Sequence, residues 1–349
     1  MNQMIPESGD IFHLSGPADL KSVDWNNASH RRCVLASVVQ GVYVLENDRR
    51  LNRAGPKAQA LPWWETFRFR LIETIQDSSD HSVFGAVFQL NSKPGNFAIN
   101  SPKYLIAFRG VMLTSPTLST DISLSIQSYF GILHNSHRLN SAVGRVQHWV
   151  AVAGGAHNVW LAGHSLGSAI ALLAAKNMAA RLGCHLTAYL FNPPSSSGVL
   201  ERINKPKLRT GIHMVSTTVK ALLIAYSQRH ENRKGDYDEF SALADWLPCL
   251  FVNPSDHVSS GYIWYFEQRM KMYELGAATA TLERLGTQNT IKGLLMSNKW
   301  DIESQPQHLL PSAELIINQA SSTSFTEAHG IKQWWNPRLP HHSVIHRYN

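Results

Sequence analysis

Residues 158–179, NVWLAGHSLGSAIALLAAKNMA, set one serine between two glycines at the junction of the two most apolar stretches of the chain. Residues 158–162 read as a short buried strand, and from Ser168 onward Ala169, Leu172, Leu173 and Lys176 fall at helical spacing. The serine therefore sits on a strand-to-helix turn. Gly163 and Gly167 flank Ser165, and a Cβ at either position would collide with the neighbouring strand or helix. A G-x-S-x-G turn of this kind lifts a serine Oγ above the carboxyl edge of a sheet. The helix that follows aims its free N–H groups and positive dipole end at the same point, which favours a developing oxyanion.

The rest of the chain is read around that turn. Residues 24–50 are expected to be helical, with Val34, Val38 and Val42 at four-residue spacing. Pro62 opens a second expected helix carrying Trp63, Trp64, Phe67 and Leu71. HSVFGAVFQL (81–90) alternates like a strand, and KYLIAFRG (103–110) reads as a buried strand ending in glycine. Helices are expected at 117–130 and 138–152, a strand in HLTAYLFNPP (185–194), a strand in CLFVN, helices at 259–275 and 281–297, and a last strand in SAELIINQ. Strand and helix alternating at this spacing imply parallel crossovers and one doubly wound, mostly parallel sheet with helices on both faces, an α/β fold. Residues 198–246 interrupt the pattern with an apolar helix candidate and a charged loop, and an insertion there is placed to cover a site at the sheet edge; a helix merely packed on the sheet is the other reading. The ending HHSVIHRYN reads as a solvated tail.

A serine hydroxyl is a poor nucleophile at neutral pH, so the turn is only informative if a histidine base and an orienting carboxylate follow it on loops after later strands. Asp256, in CLFVNPSDHV, stands just past a strand end and is preferred over Asp236, Asp238 and Asp245 in the insertion and Asp301 in a polar loop. His329, in FTEAHGIKQWW, follows the last expected strand by a short loop and is preferred over His308, which precedes it; His257 adjoins Asp256, and since neighbouring side chains in an extended loop usually diverge, it is a poor partner for that carboxylate. For the oxyanion the expected backbone donors are Leu166 N–H, next to the serine, and Val111 N–H, next to Gly110.

Other chemistries find little support. The net charge of +7 and pI near 9.3 come from Lys and Arg scattered in ones and twos, which argues against nucleic acid and remains compatible with an anionic lipid surface. No paired His or carboxylate motif stands at metal-ligand spacing, and no cofactor is expected. Cys33, Cys184 and Cys249 form no C-x-x-C pair and leave an odd count, so free thiols are expected. No basic, then apolar leader and no run of about 18 apolar residues occurs, and the expectation is a cytoplasmic protein without a membrane span.

GHSLG, YLIAFRG with the downstream Asp121, and VWLAGHSLGSAIALL resemble the nucleophile and F-R-G blocks of the class 3 lipases, a branch of the α/β-hydrolases. FHLSGPADLKSVDWNNASHRR, PWWETF, LFNPPS, LFVNPSDHVSSGYIWYFEQR and AHGIKQWW extend the resemblance over nearly the whole chain to a plant group labelled "GDSL esterase/lipase", although GHSLG is an elbow and not the G-D-S-L block of a different fold. The resemblance implies a single α/β-hydrolase domain over 1–349, to which 1–80 would be a helical addition and 198–246 either a lid or a helix packed on the sheet. It also implies Ser165 as nucleophile, Asp256 as orienting acid and His329 as base. One departure is Val111, where the family carries Thr or Ser; the backbone donor survives and the hydroxyl does not. The expected activity is hydrolysis of carboxylic esters, above all acyl lipids. Transfer of the acyl group to an alcohol uses the same residues. A lipase-like protein kept for binding or signalling is the alternative.

Overall fold

The structure, a computed structural model, describes residues 8–20, 22–91, 100–112, 133, 136–195, 243–274 and 310–348. Its frame is one eight-stranded sheet of β1 (Phe69–Gln76), β2 (Val83–Leu90), β3 (Tyr104–Phe108), β4 (Val159–His164), β5 (Thr187–Phe191), β6 (Cys249–Val252), β7 (Ala313–Asn318) and β8 (His341–His346), lying in that order. β3 to β7 are parallel, while β1, β2 and β8 join antiparallel at the two sides. Helices α1 (Phe12–Ser15), α2 (Ala28–Arg50), α3 (Pro62–Glu65), α4 (His137–Ala153), α5 (Leu166–Leu182), α6 (Gly261–Glu274) and α7 (Phe325–His329) accompany it. This is the mostly parallel α/β sheet expected, with helices on both faces.

Alternate residues of each strand point to opposite faces, and each face finds its own cover. Ile106, Phe108, Leu161 and Leu190 pack with Val146 of α4 and Ile170, Ala174 and Met178 of α5. Leu105, Ala107, Ala162, Phe191 and Phe251 pack on the other side with Val34, Val38 and Val42 of α2 and with Trp334. The small residues of α5 let it lie close against β4, and Gly183, at φ +60, ends it in the left-handed conformation that glycine adopts without strain. α2 starts where Asn27 Oδ1 accepts from the Ser29 and His30 N–H groups, at 2.9 and 3.3 Å, and it is buried along most of its length.

Register fixes where a site can form. Phe108 pairs with Gly163, His164 with Phe191, Phe191 with Phe251, and Val252 with Ile317, so the carboxyl ends of β3 to β7 stand level along one edge. The loops after these strands open at that edge.

Two expectations are corrected. The helix opened by Pro62 is a single turn ending at Glu65; Arg68 then turns the chain with φ +64, and Leu71 belongs to β1. The alternation in FRFRL carries the strand, and pairing of Phe69 with Leu90 sets its register, while Trp63, Trp64 and Phe67 pack beside α2. The carboxyl-terminal histidines do not trail as a tail, although His341 and His342 stay exposed: residues 341–346 are β8, paired from Ala313–His346 to Asn318–His341. An edge strand tolerates polar residues because one side faces water, and His346 turns inward to stack on Phe266 at 4.5 Å.

Helices expected at 117–130 and 281–297, the insertion up to its final turn, and Asp121 lie outside the described residues. At the end of the insertion Trp246 is buried and its Nε1 donates to Leu186 O at 2.7 Å. All three cysteines are free. Among the described residues no helix is long and apolar enough to cross a membrane.

Candidate active site

β4 ends at His164 and α5 begins at Leu166, leaving Ser165 alone to make the turn, at φ +55 and ψ −126. A non-glycine residue holds such a conformation at a cost of about 1–3 kcal/mol, and only where its surroundings over-determine it. Here Ser165 N–H donates to Phe191 O at 2.9 Å, and Ser165 O accepts from Ser168 N–H at 2.9 Å and Ser168 Oγ at 2.6 Å. The glycines are explained by contact. A Cβ on Gly163 would run into the Gly167 carbonyl, and one on Gly167 would run into the Phe108 and Arg109 carbonyls. Leu166 N–H, at the first position of α5, has no earlier helical carbonyl to bond.

The structure brings Asp256 to this turn from the loop after β6 and His329 from the last residue of α7, which follows β7. His329 Nε2 lies 3.0 Å from Ser165 Oγ, and its Nδ1 lies 3.1 Å from each Asp256 carboxylate oxygen. Asp256 is fully buried and also accepts from Asn192 Nδ2 at 2.7 Å, Ser259 Oγ at 2.6 Å and Val258 N–H at 3.0 Å. Burial pushes its carboxyl upward, but the His329 ring and the donors from His329, Ser259 and Asn192 outweigh that and hold it below its ordinary 3.8. Asp256 thus stays charged and orients His329 with Nδ1 as the donor. That leaves Nε2 bare, able to accept the Ser165 hydroxyl proton.

Several residues that sequence reasoning did not assign hold this row. Asn192, just past β5 at φ +48, donates to Asp256 and, at 3.0 Å, to Ala328 O, while its Oδ1 accepts from Trp334 Nε1 at 2.7 Å. Gln333 donates to Ala328 O and Gly330 O at 2.6 and 2.9 Å and accepts from Asn253 and Asn318 at 2.8 and 2.7 Å. The β6 and β7 loops are thereby stitched together. His164 is buried, with Nδ1 2.7 Å from Tyr43 Oη and Nε2 2.7 Å from His329 O. Burial, and then the neighbouring His329, push its pKa down to about 3, so it is neutral. LFNPP and QWW were visible as motifs, but nothing local in them announces a bond across 64 or 142 residues.

The remaining candidates fall outside the row. Asp245 is exposed in a turn, and Asp236, Asp238, Asp301 and His308 lie outside the described residues. His257 is exposed and stacks at 6.2 Å on Phe325, whose ring also stacks on His329 at 5.3 Å and 8°. Val111 is half-buried and packs with Phe325 against Val258, an apolar cluster beside the serine.

Comparison with known proteins points the same way as the geometry. The family model described as Lipase (class 3) matches residues 101–195, from the start of the β3 segment to the loop after β5. A protein of Arabidopsis thaliana named a GDSL esterase/lipase is 40% identical over 358 residues, covering 99% of this chain and 99% of that protein.

Proposed function

The chain belongs to the class 3 lipase family, and from that premise we propose that it is a serine hydrolase of carboxylic esters, with acyl lipids as its substrates. The observation that carries the reading is the row from Ser165 Oγ to His329 Nε2 at 3.0 Å and from His329 Nδ1 to Asp256 at 3.1 Å. Ser165 Oγ attacks the ester carbonyl as its proton passes to His329 Nε2, and Asp256 stabilises the imidazolium formed. Leu166 and Val111 N–H groups hold the oxyanion. Collapse releases the alcohol, which takes the proton from His329. Water, deprotonated by the same nitrogen, then attacks the acyl-enzyme and frees the acid and Ser165.

An acyl lipid as substrate is supported by the apolar cluster of Val111, Val258 and Phe325 next to the serine and by the name of the Arabidopsis relative, an esterase/lipase. Brief contact with a lipid surface follows from such a substrate. Hydrolysis of p-nitrophenyl esters of increasing chain length, and fatty-acid release from emulsified acylglycerol, test the reading. Wild-type activity that vanishes in Ser165→Ala is expected; equal activity in both would end it. An alcohol added to the same assay reveals any acyl transfer as ester product. A second reading, a lipase-like binding protein, is favoured by Val111, whose side chain offers the oxyanion no hydroxyl.

A further inference from the structure

Behind the site runs a row of hydrogen bonds, part-buried at Tyr43 and buried at His164, that the reaction above does not use. Gly110 N–H donates to Tyr43 Oη at 2.7 Å, Tyr43 Oη lies 2.7 Å from His164 Nδ1, and His164 Nε2 lies 2.7 Å from the His329 carbonyl oxygen. Both ends have fixed polarity, because an amide N–H only donates and a carbonyl oxygen only accepts. His164 must therefore carry its proton on Nε2, and its bare Nδ1 accepts the Tyr43 hydroxyl. The other neutral tautomer would set a bare nitrogen against the carbonyl. A doubly protonated ring would place a charge in a buried position with the His329 ring at 5.2 Å, and would leave the phenol proton without its acceptor.

What this row joins is informative. One end is the backbone of His329; the other is the amide preceding Val111. The peptide unit that carries Val111 N–H also contains the Gly110 carbonyl, and Arg109 donates to that oxygen at 2.7 Å, while Arg109 Nε donates to Val83 O at 2.6 Å. In a planar peptide the N–H points opposite to the C=O, so holding the oxygen aims the N–H. Gly110 is thus tied on its N–H by Tyr43 and on its carbonyl by Arg109. Tyr43 comes this close only because residue 110 lacks a side chain: a Cβ there would meet Tyr43 Oη at 2.7 Å and Ser165 Cβ at 2.8 Å.

We infer that Tyr43 and His164 are positioning residues that couple the oxyanion loop at Gly110–Val111 to the base His329, making α2 a working part of the active site and not only a cover for the sheet. The inference rests on the hydrolase reading above. Neither residue touches the reacting atoms; together they set the distance between the groups that do. A displacement of about 1 Å at such groups costs on the order of 100-fold in rate.

The test compares wild type with Tyr43→Phe, which removes one oxygen and keeps the ring. On a soluble p-nitrophenyl ester the variant is expected to lose about 10- to 100-fold in kcat with KM within about twofold. In wild type, 15N NMR of the imidazoles is expected to show His164 as the neutral Nε2–H form; in Tyr43→Phe the Nδ1 resonance should lose its hydrogen-bonded shift. Should Tyr43→Phe not fold, His164→Gln, whose amide N–H still reaches for the His329 carbonyl, is expected to keep more kcat than His164→Leu. An active wild type matched in kcat by Tyr43→Phe, by both His164 variants if the first does not fold, or a His164 carrying its proton on Nδ1, overturns the coupling and leaves the hydrolase reading standing. A wild type with no Ser165-dependent hydrolysis takes both down.

Discussion

The loops after β6 and β7 and the loop after β3 all end beside Ser165, yet different chemistry holds them. On the acid–base side, Asp256 accepts from Asn192, Ser259, Val258 N–H and His329, and Ala328 O accepts from both Asn192 and Gln333. Gln333 in turn is gripped by Asn253 and Asn318. On the oxyanion side, the described backbone of Gly110 and Val111 is tied by one phenol and one guanidinium, and Val111 otherwise rests on Val258 and Phe325. The first side has redundancy, because a buried charge must be kept ionised and aimed, and an unmet buried charge is the most costly defect a core can carry. Among the described residues the second has little, because a backbone N–H needs only to be pointed. Losses on the first side should show in stability and rate together, and losses on the second mainly in rate.

The largest expected effect tests what the redundancy protects. Asp256→Asn keeps the shape and most bonds but lets His329 take the wrong tautomer, and kcat/KM for a soluble ester should fall by about 10⁴. A loss below tenfold would mean that another carboxylate orients the base. Next comes Asn192→Ala, which leaves the Asp256 carboxylate, Ala328 O and the Trp334 indole each short of a partner. Unfolding in urea should show a loss of roughly 2–5 kcal/mol, at about 1–3 kcal/mol for each buried group left unmet. Its kcat should drop less than that of Asp256→Asn, since Ser259 and Val258 still hold the carboxylate.

The third prediction concerns acid. His164 has an ordinary pKa of 6.5 and is pushed down to about 3 in the fold, by burial first and by His329 second. Between those values the unfolded chain binds a proton that the folded chain refuses. Stability is therefore lost as pH falls from about 6.5 toward 3, by up to about 1.4 kcal/mol per pH unit from this group. Asp256, with its carboxyl held below 3.8, adds a loss of the same sign at the acid end of that window. Urea unfolding at stepped pH should show a shallower slope for His164→Gln than for wild type; an equal slope would remove His164 from the account.

The smallest effect belongs to the lightly tied side. Val111→Thr restores a hydroxyl next to the oxyanion donor. Removing a full donor costs roughly 3 kcal/mol, but the backbone N–H is already present, so kcat should rise by less than about tenfold with unchanged urea stability. A rise of 100-fold would show that Val111 N–H donates little.

Much of this was legible along the chain because it is local. Gly163, Ser165 and Gly167 announce their turn by their own spacing, and strand order carries the eye to the loops that hold Asp256 and His329. β1 was hidden because Pro62 and the two tryptophans after it signal a helix more loudly than FRFRL signals alternation. β8 was hidden because an edge strand can be polar, and HHSVIH carries almost none of the apolar content that marks a buried strand. Tyr43, His164 and Asn192 were missed for a third reason. Their roles are bonds to residues 121, 165 and 136 positions away, and such partners are chosen by the sheet register and helix packing, not by neighbouring letters.

The central claim, an activated nucleophile at the elbow, is tested most directly by intact-protein and peptide mass spectrometry of purified protein after incubation with a fluorophosphonate, beside Ser165→Ala. The account predicts one adduct, on Ser165, in wild type and none in the variant. A well-folded wild type that takes up no fluorophosphonate, or takes it up equally in Ser165→Ala, would contradict it.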